Sequence, residues 1–148
     1  MQDVVESLRH RGGARPRWII DIATLTGAVT IALGRSVAGI MGNRPDLVQQ
    51  VIAAGRDCGE AIWELPLVED YAAGLESLVA DLKNVGDGSA GSIYGGLFLR
   101  EFVADVPWAH LDIAAVAFTD KALPYAPRGA VGWGVRTLVA TVEAAARR

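Results

Sequence analysis

Three groups of residues in this 148-residue chain carry side chains able to do chemistry. Gly86-x-Gly88-x-x-Gly91 opens a helix-like segment, and Asp112 follows about twenty residues later, the spacing of a dinucleotide-binding fingerprint. In such a fingerprint glycines and a helix N-terminus cradle a pyrophosphate; a plain glycine-rich turn before a helix has the same pattern. His110 and Asp112 stand two apart on a strand-like run, so both face one side and could meet one metal ion. The other histidine, His10, lies near the N-terminus, and a hydrogen-bonded pair near a sheet edge is the alternative. Asp81, Lys83 and Asn84 flank the glycine loop as a further polar cluster, or as the solvated side chains of a turn. No nucleophile elbow, P-loop or His-Glu zinc helix is present, so the residue types alone supply no complete catalytic set.

The stretch that must position these groups is Trp18 to Ala28. Trp18–Ala23 is a short apolar run with one charge, Asp21, and no helical period, which suits a strand buried on both faces. It ends in Thr24-Leu25-Thr26-Gly27, where small and hydroxylated residues replace bulk. In an open α/β sheet ligands bind beyond the carboxyl ends of the strands, so these four residues are a candidate site as well as a strand-to-loop turn.

A short amphipathic piece, with Val4, Val5 and Leu8 on one face, precedes this strand and stops at Gly12-Gly13. After it, Val29–Leu33 and Val37–Met41 are two apolar runs that fit strands. A helix starts at Pro45, with Leu47, Val48, Val51, Ile52 and Ala54 on one face, and ends at Gly59. Ala61–Pro66 is extended, with Trp63 as a core anchor, and a polar helix spans about Glu69 to Leu75. The helix from Ser92 to about Phe102 turns Ile93, Tyr94, Leu97, Phe98 and Phe102 inward, and its glycines admit a neighbouring backbone. Trp108–Val116 is a second strong strand, and a Pro- and Gly-rich loop covers Lys121 to Gly134. The last helix places Val135, Leu138, Val139 and Val142 on its apolar face. Strands alternating with helices predict a layered α/β domain, here a single one.

Composition narrows the class further. The hydrophobic fraction of 51% promises a large core, and about two-thirds of the unfolded surface can be buried at this length. The net charge of −3 and the lack of a basic stripe argue against nucleic acid as a partner. The single cysteine, Cys58, fits a reducing compartment. No signal peptide is legible, and no run approaches the ~18 apolar residues of a membrane span, which leads to the expectation of a soluble, cytoplasmic protein.

Asp21-Ile22-Ala23-Thr24-Leu25-Thr26-Gly27-Ala28 resembles the signature that follows the metal site in leucyl aminopeptidases, also called cytosol aminopeptidases. The resemblance continues in order through Trp63-x-Leu65-Pro66-Leu67, Ala80–Gly86, Ala90-Gly91 and Phe98–Val103. It extends through Trp108–Ala114 and Pro124-Tyr125-x-Pro127-x-Gly129-Ala130, from about Arg17 to the last helix. It implies a layered α/β/α sandwich around a mixed sheet and treats the glycine loop as a family loop, not a nucleotide cradle. It also implies a dinuclear metallo-exopeptidase that removes N-terminal residues such as leucine, using two divalent ions, zinc or manganese, to activate a bridging water. By resemblance, Leu25 offers its carbonyl to a peptide substrate, Thr24 and Gly27 wall the side-chain pocket, and Ala114 and Ala117 complete it. Val85 borders the leaving residue.

Departures from the family pattern set further expectations. The family's metal ligands, a lysine, several aspartates and a glutamate, lie upstream of the Asp21 signature, with the catalytic arginine in an Asn-Thr-Asp-Ala-Glu-Gly-Arg motif. None of these is present, so residues 1–148 are expected to be an N-terminally truncated peptidase domain with no metal or catalytic residue of its own. Ala114-Ala115 replaces the usual Ala-Gly, which narrows the pocket. Two functions remain open: the substrate-pocket half of an aminopeptidase, assembled as the family's homo-hexamer or with a complementary chain, or an inactive remnant acting as an interaction partner. Without the upstream strands the sheet is expected to present an unpaired apolar edge.

Overall fold

The computed structural model describes residues 16–147. The amphipathic piece expected over Val4, Val5 and Leu8 lies outside them. Four strands form one mixed sheet: β1 (Ile19–Ala23), β2 (Ala38–Gly42), β3 (Ile62–Glu64) and β4 (Trp108–Asp112), in the order β1-β4-β2-β3. Chain order and sheet order differ because β4, late in sequence, inserts between β1 and β2. It runs parallel to β1, with Asp21 opposite His110, and antiparallel to β2, with Met41 opposite His110. Helices α1 (Ala28–Leu33), α2 (Pro45–Asp57), α3 (Gly91–Arg100) and α4 (Val135–Ala146) cover the sheet. A two-stranded ribbon, β5 (Phe118–Thr119) with β6 (Gly129–Ala130), lies within the loop expected over Lys121–Gly134 and its approach.

The period-2 alternation of β4 explains the layering. Ala109 and Leu111 face the layer of α2 and α4, where they join Ile40, Leu47, Val48 and Val51, with Ile20, Ile22 and Leu138 packed alongside. Trp108, His110 and Asp112 face the other way, on the side of α3 and α1. There Gly96 sits so close to Met41 that a Cβ would lie 2.6 Å from its sulfur, and a Cβ at Gly39 would lie 3.0 Å from Val29 Cγ2. The result is the α/β/α arrangement around a mixed sheet.

Several elements depart from expectation for physical reasons. Val29–Leu33 belongs to helix α1 rather than a strand: the Thr26 hydroxyl accepts from Val29 N–H at 3.3 Å and holds the first turn, and Gly34, at φ +74°, ends the last. Val29 is fully buried while Ile31 is 90% exposed, so the apolar run concealed an amphipathic turn. Trp63 is no core anchor. On edge strand β3 it is Ile62 that packs against α2, which by alternation turns Trp63 outward, 65% exposed. Strand β1 is half-buried at all five residues, because among the described residues it is the other edge of the sheet, not a strand buried on both faces. β4 ends at Asp112, and Ile113–Val116 form a turn in which Val116 and Ala117 N–H both donate to the Ile113 carbonyl.

Helix α4 is rotated from its expected face: Leu138 packs inward as expected, but the valines do not. Thr137 and Thr141 are fully buried, and Val135, Val139 and Val142 are each more than half exposed. The cause is Glu60, itself buried, whose carboxylate accepts from Gly134 N–H and Thr137 N–H at 3.1 Å and from the Thr137 hydroxyl at 2.6 Å. This side chain caps the helix from across the fold and fixes the rotation that takes the threonines inward.

Candidate functional site

The carboxyl ends of β1 and β4 open onto a cleft of about 620 Å³. One wall is the loop after β1, Leu25–Gly27, leading into Ala28 of α1; a second is the loop Asn84–Gly86, with Gly88 and Ser89. Helix α3 supplies the floor through Gly91, Gly95, Phe98 and Leu99, positions that fall on one helical stripe. Gly95 lets the loop after β1 lie close to α3: a Cβ there would stand 2.8 Å from Leu25 Cδ2 and 3.2 Å from Thr26 Cγ2.

The loop after β1 is held by one carboxylate. Asp112 is fully buried, and its Oδ1 accepts from the backbone N–H groups of Leu25 at 3.2 Å, Thr26 at 3.4 Å and Ala114 at 3.3 Å. Its Oδ2 accepts from the Thr26 hydroxyl at 2.6 Å, and Thr26 Oγ1 also lies 2.9 Å from Ser92 Oγ on α3. Among the described residues nothing donates to the Leu25 carbonyl, and the residue is 38% exposed.

The loop 84–89 is fixed differently. The Tyr94 ring is wedged between two glycines: a Cβ at Gly86 would lie 2.3 Å from the ring, and one at Gly74 would lie 2.6 Å from the hydroxyl. Tyr71 stacks on the same ring with centroids 5.8 Å apart. At the rim, the Ser89 hydroxyl and backbone N–H donate to Asp87 and hold its carboxyl below the ordinary aspartate range. Beyond it the Arg100 guanidinium forks onto Glu69, lowering that carboxyl and raising its own pKa.

Leu25, Gly27 and Val85 thus meet in one cleft, with Val85 66% exposed to it. Thr24 precedes the lining residues and is exposed. Ala114 reaches the cleft only through the Asp112 oxygen its N–H shares with Leu25 and Thr26. Ala117 leads directly into β5, where its carbonyl accepts from Val131 N–H, and it does not line the cleft. Thr26, one of the four candidate residues after the strand, lines the cleft, and Ser92 braces it there; Ser92, Phe98 and Leu99 were not singled out as site residues by sequence. The hydroxyls of Thr24-Leu25-Thr26-Gly27 were the available signal.

The dinucleotide pattern does not hold, because Asp112 is spent on the loop and the glycines follow a 3-10 turn, Glu69–Leu75, and irregular chain instead of a strand. Nor do His110 and Asp112 share a metal. His110 is buried with Nδ1 2.5 Å from Asp21 Oδ1, and Asp21 Oδ2 accepts from Trp108 Nε1 at 2.6 Å. Of the polar cluster beside the loop, Asn84 lines the cleft and Asp81 and Lys83 are exposed. Among the described residues no group of three or more His, Cys, Asp or Glu side chains is placed to hold a metal ion. No described helix is long and apolar enough to cross a membrane.

Residues 2–139 match the model of the cytosol aminopeptidase family, catalytic domain. A probable cytosol aminopeptidase of Syntrophobacter fumaroxidans is 57% identical over 134 residues, covering 90% of this chain and 26% of that protein. Its counterpart in Geobacter sulfurreducens is 49% identical over 133 residues, covering 90% of this chain and 27% of that protein. A solved structure of a tomato leucine aminopeptidase mutant superposes with a TM-score of 0.83 at 41% identity, over 95% of this chain and 27% of that one. The chain therefore spans about a quarter of the length of the relatives it matches.

Proposed function

The chain belongs to the cytosol aminopeptidase family, and from that premise we propose that it furnishes the substrate-cleft wall of a metal-dependent aminopeptidase acting in the cytosol. The observation that carries this reading is the cleft beyond β1, where Leu25, Gly27 and Val85 converge and the Leu25 carbonyl is left free for an N–H of a peptide. An apolar, mostly preformed cavity with one directional polar group suits an N-terminal residue such as leucine. Thr24 and Ala114 stand at its margin; the Ala117 assignment has least support from the geometry.

The metal centre does not fit the described residues. Asp21 and Asp112 are committed to protein donors, and the described residues hold no ligand cluster. The two divalent ions of the family, zinc or manganese, would be held by residues supplied from elsewhere, in the same longer protein or a complementary chain. Two surfaces support such a partner: the edge of β1, unpaired among the described residues, and the outward valines of α4. A homo-hexamer would place several such units together.

The test is hydrolysis of L-leucine amide by the purified chain with added Mn²⁺ or Zn²⁺. The reading predicts no turnover above the metal-only control. Metal-dependent release of leucine by this chain alone would overturn it.

A further inference from the structure

We propose that Asp112 is a positioning residue that sets the spacing between the α3 floor of the cleft and the wall formed by the loop after β1, through a hydrogen-bond chain of fixed direction. The inference deepens the reading of the cleft as a peptide-binding surface and rests on it. A fully buried carboxylate is costly unless its oxygens are satisfied, and among the described residues Asp112 has no cationic partner. It has four donors instead, three backbone N–H groups and one hydroxyl.

A carboxylate only accepts, so the Thr26 proton must point to Asp112 Oδ2. The Thr26 oxygen then has only lone pairs left, and it takes Val29 N–H on one and the Ser92 hydroxyl on the other. Ser92 is buried on α3, one residue after Gly91 of the cleft floor. The order Ser92 to Thr26 to Asp112 therefore ties α3 to the loop after β1. It fixes where the Leu25 carbonyl stands relative to Gly95.

Asparagine would have the same shape but cannot keep this direction of hydrogen bonding. Its NH₂ group would face either three N–H donors or the Thr26 oxygen, and in the second case the Thr26 proton must turn to Ser92 and the chain reverse its direction. This explains an aspartate at a position that neither the dinucleotide pattern nor a metal pair accounts for.

The test uses the full chain as wild type, Asp112→Asn and Thr26→Val, with two readouts by NMR. Amide exchange at Leu25 reports the anchor, with Leu111 in β4 as the fold control. Titration with L-leucine amide, followed at the Val85 and Gly95 amides, reports the cleft. Both variants are expected to speed Leu25 exchange about tenfold or more with Leu111 still protected, and to weaken L-leucine amide binding at least about fivefold. Unchanged Leu25 exchange in a folded variant overturns the proposal, as does unchanged binding once that protection is lost. If Asp112→Asn does not fold, Thr26→Val decides alone. A wild-type chain that ignores L-leucine amide would sink the peptide reading separately, while the exchange result still decides whether Asp112 anchors the loop.

Discussion

Replacing Glu60 by alanine should cost the fold about 3–5 kcal/mol, because the side chain caps α4 from inside the core. The carboxylate is buried and accepts from Gly134 N–H, Thr137 N–H and the Thr137 hydroxyl. Alanine leaves two of those donors orphaned on fully buried Thr137, each worth about 1–3 kcal/mol when unsatisfied. Loss of the favourable charge at the helix N-terminus adds about 0.5–1 kcal/mol. Arg136 contributes little, since its contacts to Glu60 are 3.4 Å long and its side chain is 60% exposed. Glu60→Gln keeps the shape and one acceptor, so it should lose roughly half as much. Urea unfolding followed by tryptophan fluorescence measures both, Trp133 lying just before the capped turn. A loss below about 1 kcal/mol for Glu60→Ala would refute the capping role and with it the reason the valines of α4 point outward.

Gly86→Ala should lower stability by about 1–3 kcal/mol, because the new Cβ meets a Tyr94 ring that Gly74 prevents from retreating; a thermal melt equal to wild type would contradict this. The Glu69–Arg100 pair gives acid stability a definite sign. Glu69 is held below the ordinary glutamate range, chiefly by its hydrogen bonds from Arg100, so its contribution is present above that range and lost as pH falls through the lowered value. Glu69→Gln should therefore flatten part of the stability loss below about pH 4, which acid titration of the melting temperature measures. A pH profile identical to wild type would show the pair to be energetically idle.

The sequence was most legible where one signal was enough. Pro45 and the spacing of Leu47, Val48 and Val51 marked α2, and the glycines of α3 marked close packing, although what they admit is the side chains of Ala28, Leu25, Thr26 and Met41 and not a neighbouring backbone. Reasoning from local pattern failed where a distant group decided the outcome. The rotation of α4 depends on Glu60, 77 residues from Thr137, and no period in the helix itself encodes that partner. The helical state of Val29–Leu33 depends on the Thr26 hydroxyl, and six residues are too few for period to separate helix from strand. Asp21 at the edge of the sheet and Trp63 outside the core both follow from β4 inserting between β1 and β2, a topology no single strand announces. For the site, Leu25, Gly27 and Val85 came from resemblance to a family, and the structure gathers them. The part of Asp112 was hidden because its partners lie 86 and 87 residues away.

Complementation addresses the division of labour most directly. A form of the Syntrophobacter relative lacking the stretch to which this chain aligns would carry the remaining three-quarters of that protein. Mixed or co-expressed with this chain, it should hydrolyse L-leucine amide in a Mn²⁺- or Zn²⁺-dependent manner, with activity saturating at equimolar chains and lost with Leu25→Asp. Neither polypeptide should act alone. Turnover by this chain without its complement, or no gain on mixing, would contradict the assignment of the cleft wall to this chain and of the metals to the other.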